Sequence, residues 1–149
     1  MIEDAKDLHQ ERFYVFERAA RGRFEPTAPR QWTIDECEGF LIAAVLPALE
    51  RITLEDTLPI RIVGRNDGLF VGGTCEETEH GFVIRLPPNR RRPWCVIHEA
   101  VHAAMFDEGH GPRFAETVIR LWSTLLEWPE SELSRLLTDA TNDRCEEVV

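Results

Sequence analysis

Hydrophobic and polar positions alternate with two different periods along the chain. Between Asp4 and Arg21, Leu8, Val15, Phe16 and Ala19 recur at helical spacing, which predicts an amphipathic helix ended by Gly22. The Pro-containing stretch 25–31 reads as a connector. Thr33 followed by Glu36 fits a capping box, and Ile34, Cys37, Phe40, Leu41, Ala44, Val45 and Leu49 continue with helical spacing. Pro47, late in that run, should kink or shorten the helix. The period then changes to two: residues 59–64 (PIRIVG) and 81–86 (GFVIRL) alternate, and 69–74 is apolar and flanked by glycine. Asn66-Asp67-Gly68 marks a tight turn between the first two of these runs. The pattern predicts an α+β fold with three short strands in a small, mainly antiparallel sheet packed on helices. No internal repeat or long linker interrupts it, so residues 1–149 read as one domain.

A further helix is announced by Pro93 after the Pro87-Pro88 stop. Its stretch 94–106, WCVIHEAVHAAMF, contains His98-Glu99-Ala100-Val101-His102, an HExxH motif. Residues four apart on a helix differ by about 40° in direction, so His98 and His102 share a face and can ligate one zinc ion. Glu99 lies about 100° around from His98, beside the metal rather than on it, where a general base for metal-activated water belongs.

A catalytic zinc site takes a third protein ligand. His110 is the leading candidate, because Gly109 and Gly111 flank it and should turn the chain back. Pro112 then opens another helix through Phe114, Val118, Leu121, Trp122 and Leu125. Asp107, Glu108 and Glu116 are the rival ligands. The metzincin pattern places its third histidine six positions after the second, whereas His110 follows His102 by eight, so that class does not fit. His9 and His80 read as surface residues. Tyr14, the one tyrosine, reads as a packing residue with an oxyanion role as the alternative, and Arg113 as a weak electrophile candidate.

Composition narrows the partners. The chain has 149 residues, 43% hydrophobic and 30% charged, which fits a globular domain able to bury a core. Seventeen basic against 27 acidic residues leave a net charge of −10, which excludes a fold-wide cationic footprint for nucleic acid. The run Arg90-Arg91-Arg92 reads as a solvated loop offsetting nearby acids. No apolar run is long enough to span a membrane, and residues 1–12 lack the apolar core of a secretory leader. Cys37, Cys75, Cys95 and Cys145 are widely spaced with no CxxC pair. Thiols in a reducing cytoplasm are therefore expected rather than a disulfide framework.

HExxH followed by HGPxF, here His98–His102 and His110-Gly111-Pro112-Arg113-Phe114, resembles the SprT-like or Spartan-like zinc metallopeptidases. The closest likeness is to small actinobacterial metallohydrolases of that type, which share an opening helix seen loosely here in residues 7–17. The sharp match covers 94–114. The resemblance implies a minimal gluzincin-like fold, one zinc on His98, His102 and His110, and Glu99 as base. It also implies that the strand before the active helix, 81–86, offers its edge to an extended peptide. The zinc-ribbon cysteines and basic DNA-binding elements found in parts of that family have no counterpart here, and the C-terminal residues are acidic. The resulting expectation is a zinc-dependent peptidase acting on a peptide or protein. A silent zinc-stabilised binding module and a non-peptide metallohydrolase are the alternatives.

Overall fold

The computed structural model describes residues 2–26, 30–56, 59–65 and 73–148, with side chains for 9–26, 30–56, 59–65, 73–106 and 108–141. The fold is α+β. Tertiary contacts group it into two compact units, residues 30–106 and residues 1–29 with 107–149.

The 30–106 unit begins with α2 (Ile34–Phe40), since α1 belongs to the other unit. Its capping box is complete: Glu36 N–H donates to Thr33 Oγ1 at 3.1 Å, and Thr33 N–H donates to Glu36 Oε1 at 3.1 Å. Arg30 grips the same carboxylate with two hydrogen bonds, 3.0 and 2.6 Å. That guanidinium, with the Thr33 N–H, holds the Glu36 carboxyl down to about 2.

Pro47 does not end this helix. A π-helical turn, Leu41–Val45, carries α2 into α3 (Leu46–Thr53), with Leu46 N–H donating to the Leu41 carbonyl five residues back. Proline lacks an N–H and crowds the carbonyl four residues before it. A widened turn at that point accommodates both demands. The helix stops at Leu54, which adopts a left-handed conformation.

Three strands follow: β1 (Ile60–Gly64), β2 (Thr74–Thr78) and β3 (Gly81–Leu86). Their order is β1-β3-β2, with β1 parallel and β2 antiparallel to β3. The sheet is thus mixed rather than mainly antiparallel. Alternation reveals which residues face the core but not which neighbour a strand takes, or in which direction. Of the expected strand 69–74 only residues 73 and 74 are described, and β2 runs from Thr74 to Thr78; residues 69–72, and the expected turn 66–68, lie outside the described residues. Gly81 makes the β2–β3 hairpin possible. Its φ is +127°, and a Cβ there would collide with the Pro59 carbonyl, which accepts from Phe82 N–H at 2.8 Å.

Ile60, Ile62, Phe82, Ile84 and Leu86 share the buried face of the sheet. The two sheet edges differ. On β1, Glu38 Oε2 of α2 accepts the Ile62 N–H at 3.0 Å, while β2 packs against the next helix, α4 (Pro93–Ala104). The Arg90–Arg92 run is partly built into the fold rather than simply solvated. Arg91 Nε donates to the Leu86 carbonyl at 3.2 Å, the Arg91 carbonyl accepts from Trp32 N–H at 2.9 Å, and the Arg90 guanidinium lies 5.4 Å from the Trp94 ring.

The other unit is helical: α1 (Ile2–Phe24), α5 (Pro112–Leu126) and α6 (Glu130–Val148). α1 runs through Gly22 instead of ending there. A lone glycine costs a helix only about 1 kcal/mol, and beyond it Arg23 is anchored to Glu132 of α6 at 3.0 Å. The core is aromatic. Phe16 stacks on Trp122 with ring centroids 5.7 Å apart, and Phe13 meets Phe114 edge-on at 5.1 Å. Periodicity predicts no helix after α5, yet Leu133 and Ala140 of α6 are buried.

Candidate metal centre

α4 begins at Pro93, and of its twelve residues only Pro93, His102 and Ala104 escape full burial. A helix this apolar on most of its circumference belongs inside a core, and contacts with α2, the π turn, β2 and β3 surround it. His98 and Glu99 are each only 5% exposed, an unusual burial for polar groups. His98 and His102 stand one turn apart as the motif requires, with ring centroids 4.9 Å apart and planes at 60°. The structure therefore brings this pair together on one face.

Glu99 meets the chain just before β2. A Cβ placed on Gly73 would stand 2.9 Å from Glu99 Oε2. Cys75, two residues further on, is half-buried; burial pushes its thiol up to about 12, with the charges of Glu99 and Glu76 adding to the effect. Gly73 and Cys75 thus neighbour the expected base, and the sequence reading missed both. The paired glycines 72–73 were the available signal, because glycine beside a strand often marks a close approach.

The chain leaves α4 at Met105, passes through a short 3₁₀ turn at Phe106–Glu108, and turns at Gly109 with φ +60°. Gly111 is the N-cap of α5. The helix break expected from the two glycines is present, beginning at Met105. In the helical unit, His110 is half-buried among rings: Phe114 at 5.0 Å, Tyr14 at 5.2 Å and Phe13 at 5.4 Å between centroids. Phe13 and Tyr14 come from α1, and nothing in the sequence around His110 pointed to them.

The rival ligands are placed otherwise. Glu108 is exposed and bound to Arg113 at 3.0 Å, Glu116 is exposed, and the Asp107 side chain lies outside the described residues. That ion pair also occupies the Arg113 guanidinium. Tyr14 is 40% exposed, and its hydroxyl accepts from Gln10 Nε2 at 3.1 Å. His80 is exposed and His9 half-buried. Cys37, Cys75 and Cys95 are thiols, and no helix among the described residues is long and apolar enough to cross a membrane. Comparisons with protein-family models, with curated proteins and with solved structures give no significant match, so the residues themselves carry the functional reading.

Proposed function

We propose that the protein is a zinc-dependent hydrolase, most simply a peptidase of gluzincin-like architecture, with His98, His102 and His110 as the metal ligands and Glu99 as the base. One observation carries the reading: His98 and His102 stand one turn apart on α4 with ring centroids 4.9 Å apart, and Glu99 is buried beside them. The donor set suits the metal, since three imidazoles with a fourth position left to water or substrate describe a catalytic zinc. Chain connectivity favours it too, because only seven residues separate His102 from His110.

Bound there, zinc would supply a Lewis acid that activates water and polarises a carbonyl. The work of the chain's own residues follows from their places. α4 fixes His98 and His102 at one-turn spacing, and the rings of Phe13, Tyr14 and Phe114 fix the plane of His110. Glu99, buried beside the ligand pair, takes a proton from water at its carboxylate and returns it to the leaving nitrogen.

The resemblance points to β3 as the docking strand, but β3 is the central strand and both its edges are already paired. An extended peptide needs a free edge. Glu38 takes an N–H of β1, whereas β2 runs beside Glu99, so β2 is the docking strand of this proposal. Free thiol chemistry and the absence of paired cysteines in the sequence motifs suit a cytoplasmic setting.

Metal analysis of the wild type beside His110→Ala and Glu99→Gln tests the reading. About one zinc per chain is expected in the wild type and in Glu99→Gln, with binding greatly weakened in His110→Ala. Glu99→Gln should lower peptide hydrolysis about 10²- to 10⁴-fold. Zinc retained in full by His110→Ala, or full activity in Glu99→Gln, would overturn the assignment.

A further inference from the structure

A glutamate side chain has several torsions, and a helix alone does not fix where its carboxylate ends. The hydrolase reading nevertheless requires Glu99 to hold an oxygen at one point, since a displacement of about 1 Å can cost on the order of 10²-fold in rate. Something beside α4 must supply the constraint.

Gly73 is placed to do so. Besides its 2.9 Å approach to Glu99 Oε2, a Cβ on Gly73 would stand 3.0 Å from Leu86 Cδ2 and 3.5 Å from the Arg85 carbonyl. Contacts below 3.0 Å are essentially never made by real Cβ atoms, so one of these neighbours would have to move. The backbone of Gly73 does not lie in the left-handed region, so its conformation alone does not call for glycine. The requirement is for space.

The neighbours differ in how they can yield. The backbone next to Gly73 is tied into the sheet, because Thr74 pairs with Arg85 of β3. Leu86 is fully buried in the core. The tip of Glu99 is the softest of the three, and the residue is only 5% exposed. A methyl group at position 73 would therefore be relieved chiefly by displacing the carboxylate.

We infer that Gly73 is a positioning residue for Glu99: the bare backbone just before β2 forms the wall against which the carboxylate is set. The inference rests on the reading of Glu99 as the base. It adds a residue outside the HExxH helix, immediately before the strand that the same reading assigns to the substrate. Gly73 touches the base and acts only through it.

The test is a double-mutant cycle on the full chain, read first without metal. Gly73→Ala should lower Tm by about 3–8 °C through overpacking. In the Glu99→Asp background, where the carboxylate is one methylene shorter, less than half of that loss should remain. Should Gly73→Ala fail to fold, folding of the Gly73→Ala/Glu99→Asp double variant supports the same contact. Equal losses in both backgrounds, or relief only when Leu86→Val is introduced, would overturn the inference.

The second readout uses zinc-loaded protein and a fluorogenic peptide selected by the wild type from a mixed-sequence library. Gly73→Ala should keep its zinc and its KM within about twofold while kcat falls about ten- to a hundredfold. Coupled Tm losses with unchanged kcat would overturn the positioning role. Coupled Tm losses with no hydrolysis by the wild type would instead overturn the hydrolase reading, and the stability cycle tells the two failures apart.

Discussion

His98 and His102 are neighbours because one helix makes them so, whereas His110 is set among rings, two of which come from α1 near the other end of the chain. The first pair needs only the 3.6-residue repeat, and α4 supplies it within twelve residues. His110 sits on a turn between two glycines, where the backbone leaves many directions open. Phe13 and Tyr14 from α1, with Phe114 from α5, narrow them. A histidine pair on a helix is thus a local property, and the setting of a histidine on a turn is a property of packing. The two should respond differently to substitutions that leave every ligand in place.

The largest difference is expected from Phe13→Ala. Phe13 is 1% exposed and packs against Phe16, Phe114, Trp122 and His110. Its truncation should cost about 3–5 kcal/mol, read by denaturant unfolding, and should weaken zinc binding because His110 loses a wall. No substitution of that kind in α1 should alter the spacing of His98 and His102. Metal affinity that is unchanged in Phe13→Ala would show that the turn positions His110 by itself.

A smaller effect is expected at Gly109. Its φ of +60° disfavours an L side chain by about 1–2 kcal/mol, so Gly109→Ala should lower stability by that amount. Zinc titration of the same variant should show a weakened site if the turn aims His110. An unaffected site would assign that aim to the aromatic rings alone.

The smallest effect concerns a feature as local as the HExxH pair, the cap of α2. Glu36 is held down to about 2 by Arg30 and by the Thr33 N–H, against an ordinary carboxyl near 4.5. A carboxyl lowered by folding stabilises the native state above its unfolded value and loses that contribution as pH falls through its folded value. The stability difference between wild type and Glu36→Gln should therefore be complete above about pH 4.5 and vanish near pH 2. Thermal unfolding across that range measures it. A pH-independent difference would mean that the cap acts without its charge. Zinc binding at neutral pH should be the same in both proteins.

Legibility in the sequence followed the same division. The capping box at Thr33 and Glu36, the start of α4 at Pro93, β3 at 81–86 and the helix opening at Pro112 all appear where short-range patterns put them. Each depends on residues within a turn or two of one another. Gly22 and Pro47 show the limit. Both are breakers by local rule, but the Arg23–Glu132 contact follows one and a π turn absorbs the other. The α6 helix was not expected from the sequence, and it takes its place through burial of Leu133 and Ala140.

The sequence by itself determined the α+β class, the facing of His98 and His102, and Glu99 between them, because helical and strand periods are set by the backbone alone. Only the tertiary structure decided that β3 lies in the middle of the sheet, with β1 and β2 as its neighbours. It also decided that Gly73 abuts Glu99 and that Phe13 and Tyr14 back His110. Strand order and side-chain neighbours join residues far apart in the chain, and no local period encodes which of them will meet.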